Sequence, residues 1–190
     1  MNPQLAKKTV KPIPANFLLY VGDRNGRKNF KTFIQAVAPL LKKGNNLYLT
    51  CTGKQAFSQE EVRWMKELEI EKKVLWFASP NDDELAYLYS KSKAFVFPSL
   101  GEGFGLPILE AWTCRTPVIL SNIPCFNEIA ADAGCYFDPL SVESMRETIE
   151  KVLFSKVLQN DLARKGTYRL SLFSWKNTVN QTHKIYSSLL

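Results

Sequence analysis

This sequence is poor in the residues that build metal centres and disulfide frameworks. It has one histidine, His183, and four cysteines with no Cys-x-x-Cys pair among them. Cys51, Cys114, Cys125 and Cys135 lie far apart, which argues against a zinc site and predicts reduced, mostly buried thiols of a cytosolic protein. No apolar run approaches the roughly 20 residues needed to span a bilayer. The amino-terminal stretch MNPQLAKKTV lacks an apolar core segment and does not read as a secretory signal. Long basic runs and RNA-binding aromatic motifs are also missing. The net charge of +7 is spread along the whole chain, which points away from nucleic acid and toward an anionic small substrate or an anionic membrane surface.

What is present is ordinary for a globular protein. Hydrophobic residues make up 45% and charged residues 23% of 190, enough for one substantial core. Residues 1–16 are polar and basic, carry Pro12 and Pro14, and read as a linker or domain edge. From Phe17 to Leu190 short apolar segments alternate with amphipathic ones, the pattern of a parallel sheet with helical crossovers. Strands are expected at 17–21, 47–51, 74–77, 94–97, 118–120 and 135–137.

Helices are expected between them. Phe30, Phe33, Ile34, Val37 and Leu41 recur at helical spacing. Ser58 with Glu61 forms a capping box, Phe57 and Val62 occupy the staple positions, and Asn81 with Glu84 starts another helix running to about Ser90. A helix from Leu106 to about Cys114 tolerates Pro107 in its first turn. Ser141 caps a helix to about Phe154. Further helices cover about 156–165 and 174–190, the last carrying Trp175, Val179, Tyr186 and Leu190 toward one side. His183, in its middle, reads as a surface or packing histidine.

The whole is an α/β fold, a doubly wound, mostly parallel sheet of about six strands, Rossmann-like. In such sheets ligands bind beyond the carboxyl ends of the strands. Six of the nine glycines, Gly22, Gly26, Gly53, Gly101, Gly103 and Gly105, fall there, after strands one, two and four. The densest cluster is Pro98-Ser-Leu-Gly-Glu-Gly-Phe-Gly-Leu-Pro-Ile-Leu-Glu110. A strand ends, a glycine-rich loop turns and a helix begins, so free N–H groups and the helix dipole favour an anion near Leu106. Glu102 and Glu110 flank that position. A carboxylate beside a phosphate site makes sense when it accepts hydrogen bonds from ligand hydroxyls, such as those of a sugar or ribose. The spacing matches neither a Walker A loop nor a dinucleotide fingerprint. A structural loop with a solvated Glu102 and a salt-bridged Glu110 is the alternative.

A second cluster, Gly22-Asp-Arg-Asn-Gly-Arg-Lys-Asn29, follows the first strand. Two cations drawn from Arg24, Arg27 and Lys28 would neutralise a diphosphate without a metal and stabilise it as a leaving group. Gly53 and Lys54 could border a nucleobase. Ser121 and Asn122 lie after the fifth strand, and Glu128 reads as helix-start chemistry more than as a ligand contact.

The stretch EGFGLPILE resembles the signature of retaining glycosyltransferase family 4, the group 1 glycosyl transferases, with two glutamates separated by seven residues. FLLYVGDRNGRKNF, DELAYLYSKSKAFVFPS, TPVILSN and the closing FSW are similar to that family in order and spacing, over about residues 16–190. The resemblance implies one half of a GT-B fold, the C-terminal domain that holds the nucleotide sugar, with an N-terminal acceptor domain preceding Met1. Position by position, it implies Glu102 near the donor sugar hydroxyls, backbone N–H groups of Phe104, Gly105 and Leu106 on sugar or diphosphate, and Glu110 on the ribose. It implies Gly22 and Lys28 at the phosphates, with Arg24 as Lys28's partner and Arg27 solvated. Many relatives carry an arginine directly after the glycine, where this chain has Asp23. The family's Pro-Glu after strand five is replaced by Asn127-Glu128.

The implied enzyme transfers a hexose from a nucleoside diphosphate sugar to an acceptor hydroxyl with retention, by front-face attack, with no cofactor and no required metal. Its partners would be a nucleotide sugar, a glycan or lipid-linked acceptor and the N-terminal domain. The YVG-x-R-x-x-x-KNF pattern points toward mannosyltransferases of surface polysaccharide assembly. A cytoplasmic location is expected, with peripheral association of the full enzyme at the inner face of the membrane. A non-catalytic nucleotide-sugar-binding module is the competing reading; it would not need Lys28 together with Glu102.

Overall fold

The computed structural model describes residues 13–24, 26–43 and 46–189. Most of the 1–16 linker, together with Asn25, Gly44, Asn45 and the helical expectation at Leu190, lies outside them. Six parallel strands form one sheet in the order β3-β2-β1-β4-β5-β6. They are β1 (Phe17–Val21), β2 (Tyr48–Gly53), β3 (Val74–Ala78), β4 (Ala94–Phe97), β5 (Val118–Ser121) and β6 (Gly134–Phe137). All six expected strands are present, each within two residues of its expected bounds.

Strand alternation divides the interior into two layers. Leu18 and Tyr20 of β1, Ala94 and Val96 of β4 and Ile119 of β5 face one core, with helices α1 (Phe30–Lys42), α2 (Gln59–Glu67) and α6 (Val142–Leu153). Phe17, Leu19, Phe95, Phe97, Val118 and Leu120 face the other, with α3 (Asp82–Lys91), α4 (Leu106–Thr113) and α5 (Pro124–Ala130). With both faces covered, the strands carry almost no polar residues, as a buried parallel sheet requires.

Both expected capping boxes form in full. Ser58 accepts from the Glu61 N–H while Glu61 reaches back to the Ser58 N–H, and Asn81 and Glu84 do the same for α3. The short helix α5 is anticipated only through Glu128, read as helix-start chemistry, and begins earlier, at Pro124. It has seven residues and no side-chain cap, so only Pro124 at its start signals it.

Helix α7 (Lys156–Leu170) runs five residues past the expected Lys165. Gly166 reads as a stop signal in sequence, but here it lies inside the helix against Trp112 of α4. A Cβ at Gly166 would overlap the Trp112 indole at Cδ1 and Nε1. Trp112 is itself 1% exposed and cannot retreat. Glycine is kept for close approach, at a helix-propensity cost of about 1 kcal/mol. The final helix, α8 (Trp175–Ser187), has no buried residue, and Trp175, Val179 and Tyr186 stand open along it. No described helix is long and apolar enough to cross a membrane.

Gly166→Ala should therefore destabilise the protein despite alanine's better helix propensity, by about 1–3 kcal/mol from overpacking. Thermal melts should show a clear fall in Tm, whereas Thr167→Ala, one position on and exposed, should change it little. An unchanged or higher Tm for Gly166→Ala would show that α7 can shift off Trp112.

Candidate functional site

The sheet reverses its winding between β1 and β4, and these two strands pair only through Leu18↔Ala94 and Leu19↔Phe95. Beyond that point their carboxyl ends part, opening the crevice expected at a topological switch point. The β1–α1 and β4–α4 loops enter it from either side. They are joined by a backbone hydrogen bond from the Leu100 N–H to the Arg27 carbonyl, 2.9 Å.

Lys28 and Glu102 meet across this crevice. The ammonium donates to Glu102 Oε1 at 2.7 Å, with side chains 19% and 12% exposed, and sits 5.0 Å from the centre of the Phe97 ring. Asn29 fixes the lysine's backbone. It adopts a left-handed conformation at the start of α1 (φ 56°), and its buried side-chain amide donates to the Pro139 carbonyl at 2.8 Å. A lysine has three donors, so Lys28 can hold Glu102 and an incoming anion together.

Gly105 forms the turn into α4 with φ 104°, a region that L side chains rarely adopt, and a Cβ there would lie 3.1 Å from Phe126. Its neighbours Phe104 and Leu106 are 42% and 50% exposed. The Phe104 ring meets Phe173 edge-on, and Cys125 Sγ donates to the Phe104 carbonyl at 3.1 Å. Phe104 and Leu106 thus stand open at the start of α4, on either side of the buried Gly105 and close in the chain to Glu102. Ser99, just upstream, has a fully buried hydroxyl with no partner among the described residues. No pattern in the sequence would have singled it out.

Glu110 stands half-buried on α4 and accepts from the Tyr89 hydroxyl of α3 at 3.1 Å. Burial raises its carboxyl pKa, against the Tyr89 bond, which lowers it. The salt-bridged alternative does not hold, since its partner is a neutral phenol. Gly22 turns with φ 115° and donates its N–H to the Thr52 carbonyl.

Arg24 lies elsewhere. Its Nε donates to Glu61 Oε1 at 2.8 Å, its terminal nitrogen donates to the Gln55 and Ala56 carbonyls, and its guanidinium packs 4.7 Å from the Phe57 ring centre. The pair is 5% and 9% exposed. Nε and one terminal nitrogen tie the β1–α1 loop to the start of α2, so Arg24 pairs with Glu61 and does not stand beside Lys28 as expected. Arg27 is exposed. Arg24 instead lines a cavity of about 700 Å³ on the α1–α2 side of the loop, with Lys54 at its border; Lys28, Glu102 and Glu110 do not line it.

Two further positions differ from expectation. Glu128 is the fifth residue of α5 and not its start, and its carbonyl accepts from Arg169 at 2.8 Å. Asn122 accepts from the Asn127 amide, which braces the β5–α5 loop locally. His183 is exposed on α8. The four cysteines are unbridged; Cys51 and Cys114 are buried, and Cys125 and Cys135 partly so. Among the described residues no three His, Cys, Asp or Glu side chains come together as metal ligands.

Comparison with known proteins places the chain in a family. The family model for group 1 glycosyl transferases matches residues 2–169, which extends upstream of the motifs and stops short of α8. O-antigen chain mannosyltransferase B of Escherichia coli is 32% identical over 176 residues, 91% of this chain and 46% of that protein. O-antigen chain mannosyltransferase RfbU of Salmonella typhimurium is 34% identical over 137 residues, 72% of this chain and 38% of its own length. The chain thus spans about half the length, or less, of the curated relatives it matches. Among solved structures, sucrose-phosphate synthase from Thermosynechococcus elongatus superposes with a TM-score of 0.81 at 25% identity, over 100% of this chain and 51% of that one. The C-terminal domain of a group 1 glycosyl transferase from Francisella tularensis superposes with a TM-score of 0.72 at 21% identity, over 90% of this chain and 97% of that one. With two thirds or more of its length matched, a six-stranded parallel sheet and a glycine-rich α4 start flanked by Glu102 and Glu110, the chain belongs to the group 1 glycosyl transferases.

Proposed function

We propose that this chain binds the donor of a retaining hexosyltransferase, a nucleoside diphosphate sugar, in the crevice between β1 and β4. The observation that carries the proposal is the Lys28–Glu102 pair beside the glycine-rich start of α4. A cation, a helix N-terminus and a carboxylate acceptor lie within one site. Lys28 and the N–H groups of Phe104, Gly105 and Leu106 take the diphosphate, and Gly22 lets the backbone approach it. Glu102 takes sugar hydroxyls and Glu110 the ribose hydroxyls. As the glycosidic bond breaks, charge develops on the departing diphosphate, and these fixed dipoles and the ammonium stabilise it without a metal.

The mannosyltransferase names of the relatives support mannose as the sugar and a surface polysaccharide as the product. The acceptor wall of the cleft belongs to a further domain in this reading, because the relatives are about twice as long. We place the enzyme at the inner face of the cytoplasmic membrane, where a lipid-linked glycan acceptor would be held.

Ligand-induced thermal shifts with UDP, GDP, ADP and their sugars test the proposal on the full 190-residue chain. One nucleotide should stabilise it, and the corresponding sugar nucleotide more so. Lys28→Ala should weaken that nucleotide by about 10–100-fold, the worth of a hydrogen bond to a charged group. Glu102→Gln should abolish the increment due to the sugar and spare the nucleotide. Stabilisation by none of the nucleotides, or equal loss of nucleotide and sugar in Glu102→Gln, would overturn the assignment. Transfer by these residues alone should be almost undetectable; robust turnover would refute the separate acceptor wall.

Glu110 supplies a pH-dependent check. Its raised folded pKa means that ionisation costs stability, a cost absent below the unfolded value of about 4.3 and incurred as pH rises through the folded value. Glu110→Gln should therefore match or exceed the parent Tm at pH 7, lose that advantage near pH 4, and bind the nucleotide about tenfold more weakly. A Glu110→Gln variant that binds normally would remove the ribose role.

A further inference from the structure

The cavity on the α1–α2 side of the β1–α1 loop takes no part in the donor site described above. It encloses about 700 Å³, within the range of about 300–1,000 Å³ usual for small-ligand sites. Its charged lining is balanced. Arg24, Lys31 and Lys54 face Asp23, Glu60 and Glu61, three cations against three anions. In a chain of net charge +7 that balance is a local property of the cavity. A diphosphate would gain little there. Arg24 is already paired with Glu61 and bonded to two carbonyls, and Asp23 and Glu60, which form no ion pair among the described residues, would repel it.

The uncharged part of the wall has a different character. Trp64 of α2 and Phe30 of α1 line it, and Ser58, Gln55 and Asn29 add polar groups. An aromatic platform rimmed by carboxylates, amides and amines suits a ligand with an apolar C–H face and a hydroxyl edge. The Lys31 ammonium sits 5.0 Å from the centre of the Trp64 ring, an exposed cation–π contact worth about 0.5–1 kcal/mol, which is easily exchanged for a stacked ligand. The floor is firm, because the Arg24–Glu61 pair is almost wholly buried and Glu61 Oε2 also caps α2 through the Ser58 N–H at 2.7 Å.

We propose that this cavity is a carbohydrate subsite that holds a neutral segment of the acceptor glycan, with Trp64 as the stacking platform and Asp23, Lys54 and Glu60 as hydroxyl partners. The proposal rests on the reading of the chain as a sugar-transferring domain. Gly26 and Asn29 line the cavity while Lys28, between them, turns to Glu102. A glycan seated here is therefore one loop away from the donor. A chain-extending enzyme would gain from such a grip on a residue remote from the acceptor end, since it holds the polymer without occupying the reaction centre.

The test titrates an α-linked mannotriose into the isotopically labelled full chain and follows backbone and indole resonances by NMR. Pyrophosphate and the nucleotide that stabilises the chain serve as parallel ligands. The trisaccharide should shift resonances of residues 54–64 and 29–31, including the Trp64 indole, and leave the Glu102–Glu110 segment unmoved. Trp64→Ala should weaken it at least tenfold. Glu60→Gln, an exposed change that keeps Trp64 in place, should weaken it severalfold and leave nucleotide binding within twofold. No shift with mannotriose, shifts confined to the Glu102 loop, or an affinity untouched by both variants would overturn the subsite, as would tighter binding of pyrophosphate than of sugar at these residues. Nucleotide binding without trisaccharide binding removes the subsite alone. Trisaccharide binding at Trp64 without nucleotide binding leaves the subsite standing and removes the donor assignment.

Discussion

The divergence of β1 from β4 is the constraint on which the rest of the functional edge depends. After Leu19 and Phe95 the two strands no longer pair, although β1 continues to Val21 and β4 to Phe97. A parallel sheet whose winding reverses cannot place a crossover helix over that gap, so it remains open to a ligand. The loops on either side must then be held at a fixed separation. A backbone hydrogen bond between Leu100 and Arg27 and the Lys28–Glu102 pair do this with groups that a ligand can also use. Removing either charge leaves the other largely buried and unpaired, a more costly state than the pair itself is favourable.

Within eight residues the β1–α1 loop assigns its cations to separate tasks. Arg24 serves the fold, since its planar fork matches Glu61 and two carbonyls at once. Lys28 serves the crevice, as a point charge with donors to spare. Arg27 faces solvent and gives only its carbonyl to the scaffold. Glu61 makes the division possible. One carboxylate oxygen closes the capping box of α2 and the other takes Arg24.

Much of this was legible in the sequence, for identifiable reasons. β1, β2 and β4 are short apolar runs ended by glycine or proline, and both capping boxes are local patterns four residues long. The Glu102–Glu110 segment was legible because a strand, a glycine turn and a helix start follow one another without interruption. What escaped depends on residues far apart in the chain. Arg24 meets Glu61 across 37 positions, Tyr89 reaches Glu110 across 21, and Asn29 reaches Pro139 across 110. Gly166 misled because glycine is read as a local stop, whereas here a tryptophan 54 positions earlier requires it. The start of helix α5 escaped because it has no side-chain cap and the helix is too short for periodicity to show.

Glu110 and Lys28 illustrate two ways in which a binding edge is kept ready. Lys28 has its countercharge in place, and an anion would be accommodated by sharing its donors. Glu110 forms no ion pair among the described residues. A buried phenol, Tyr89, donates to it, and burial pushes its pKa upward. A neutral residue of the same shape would cost the fold less, so stability does not explain a carboxylate here. Strong hydrogen bonding to the hydroxyls of the proposed donor would, because a charged acceptor roughly doubles the strength of each bond it receives. A carboxylate carried at a cost to the fold, on the helix that follows the glycine-rich turn, is thus a physical argument for the proposed ligand that combines hydroxyls with phosphate, independent of any resemblance.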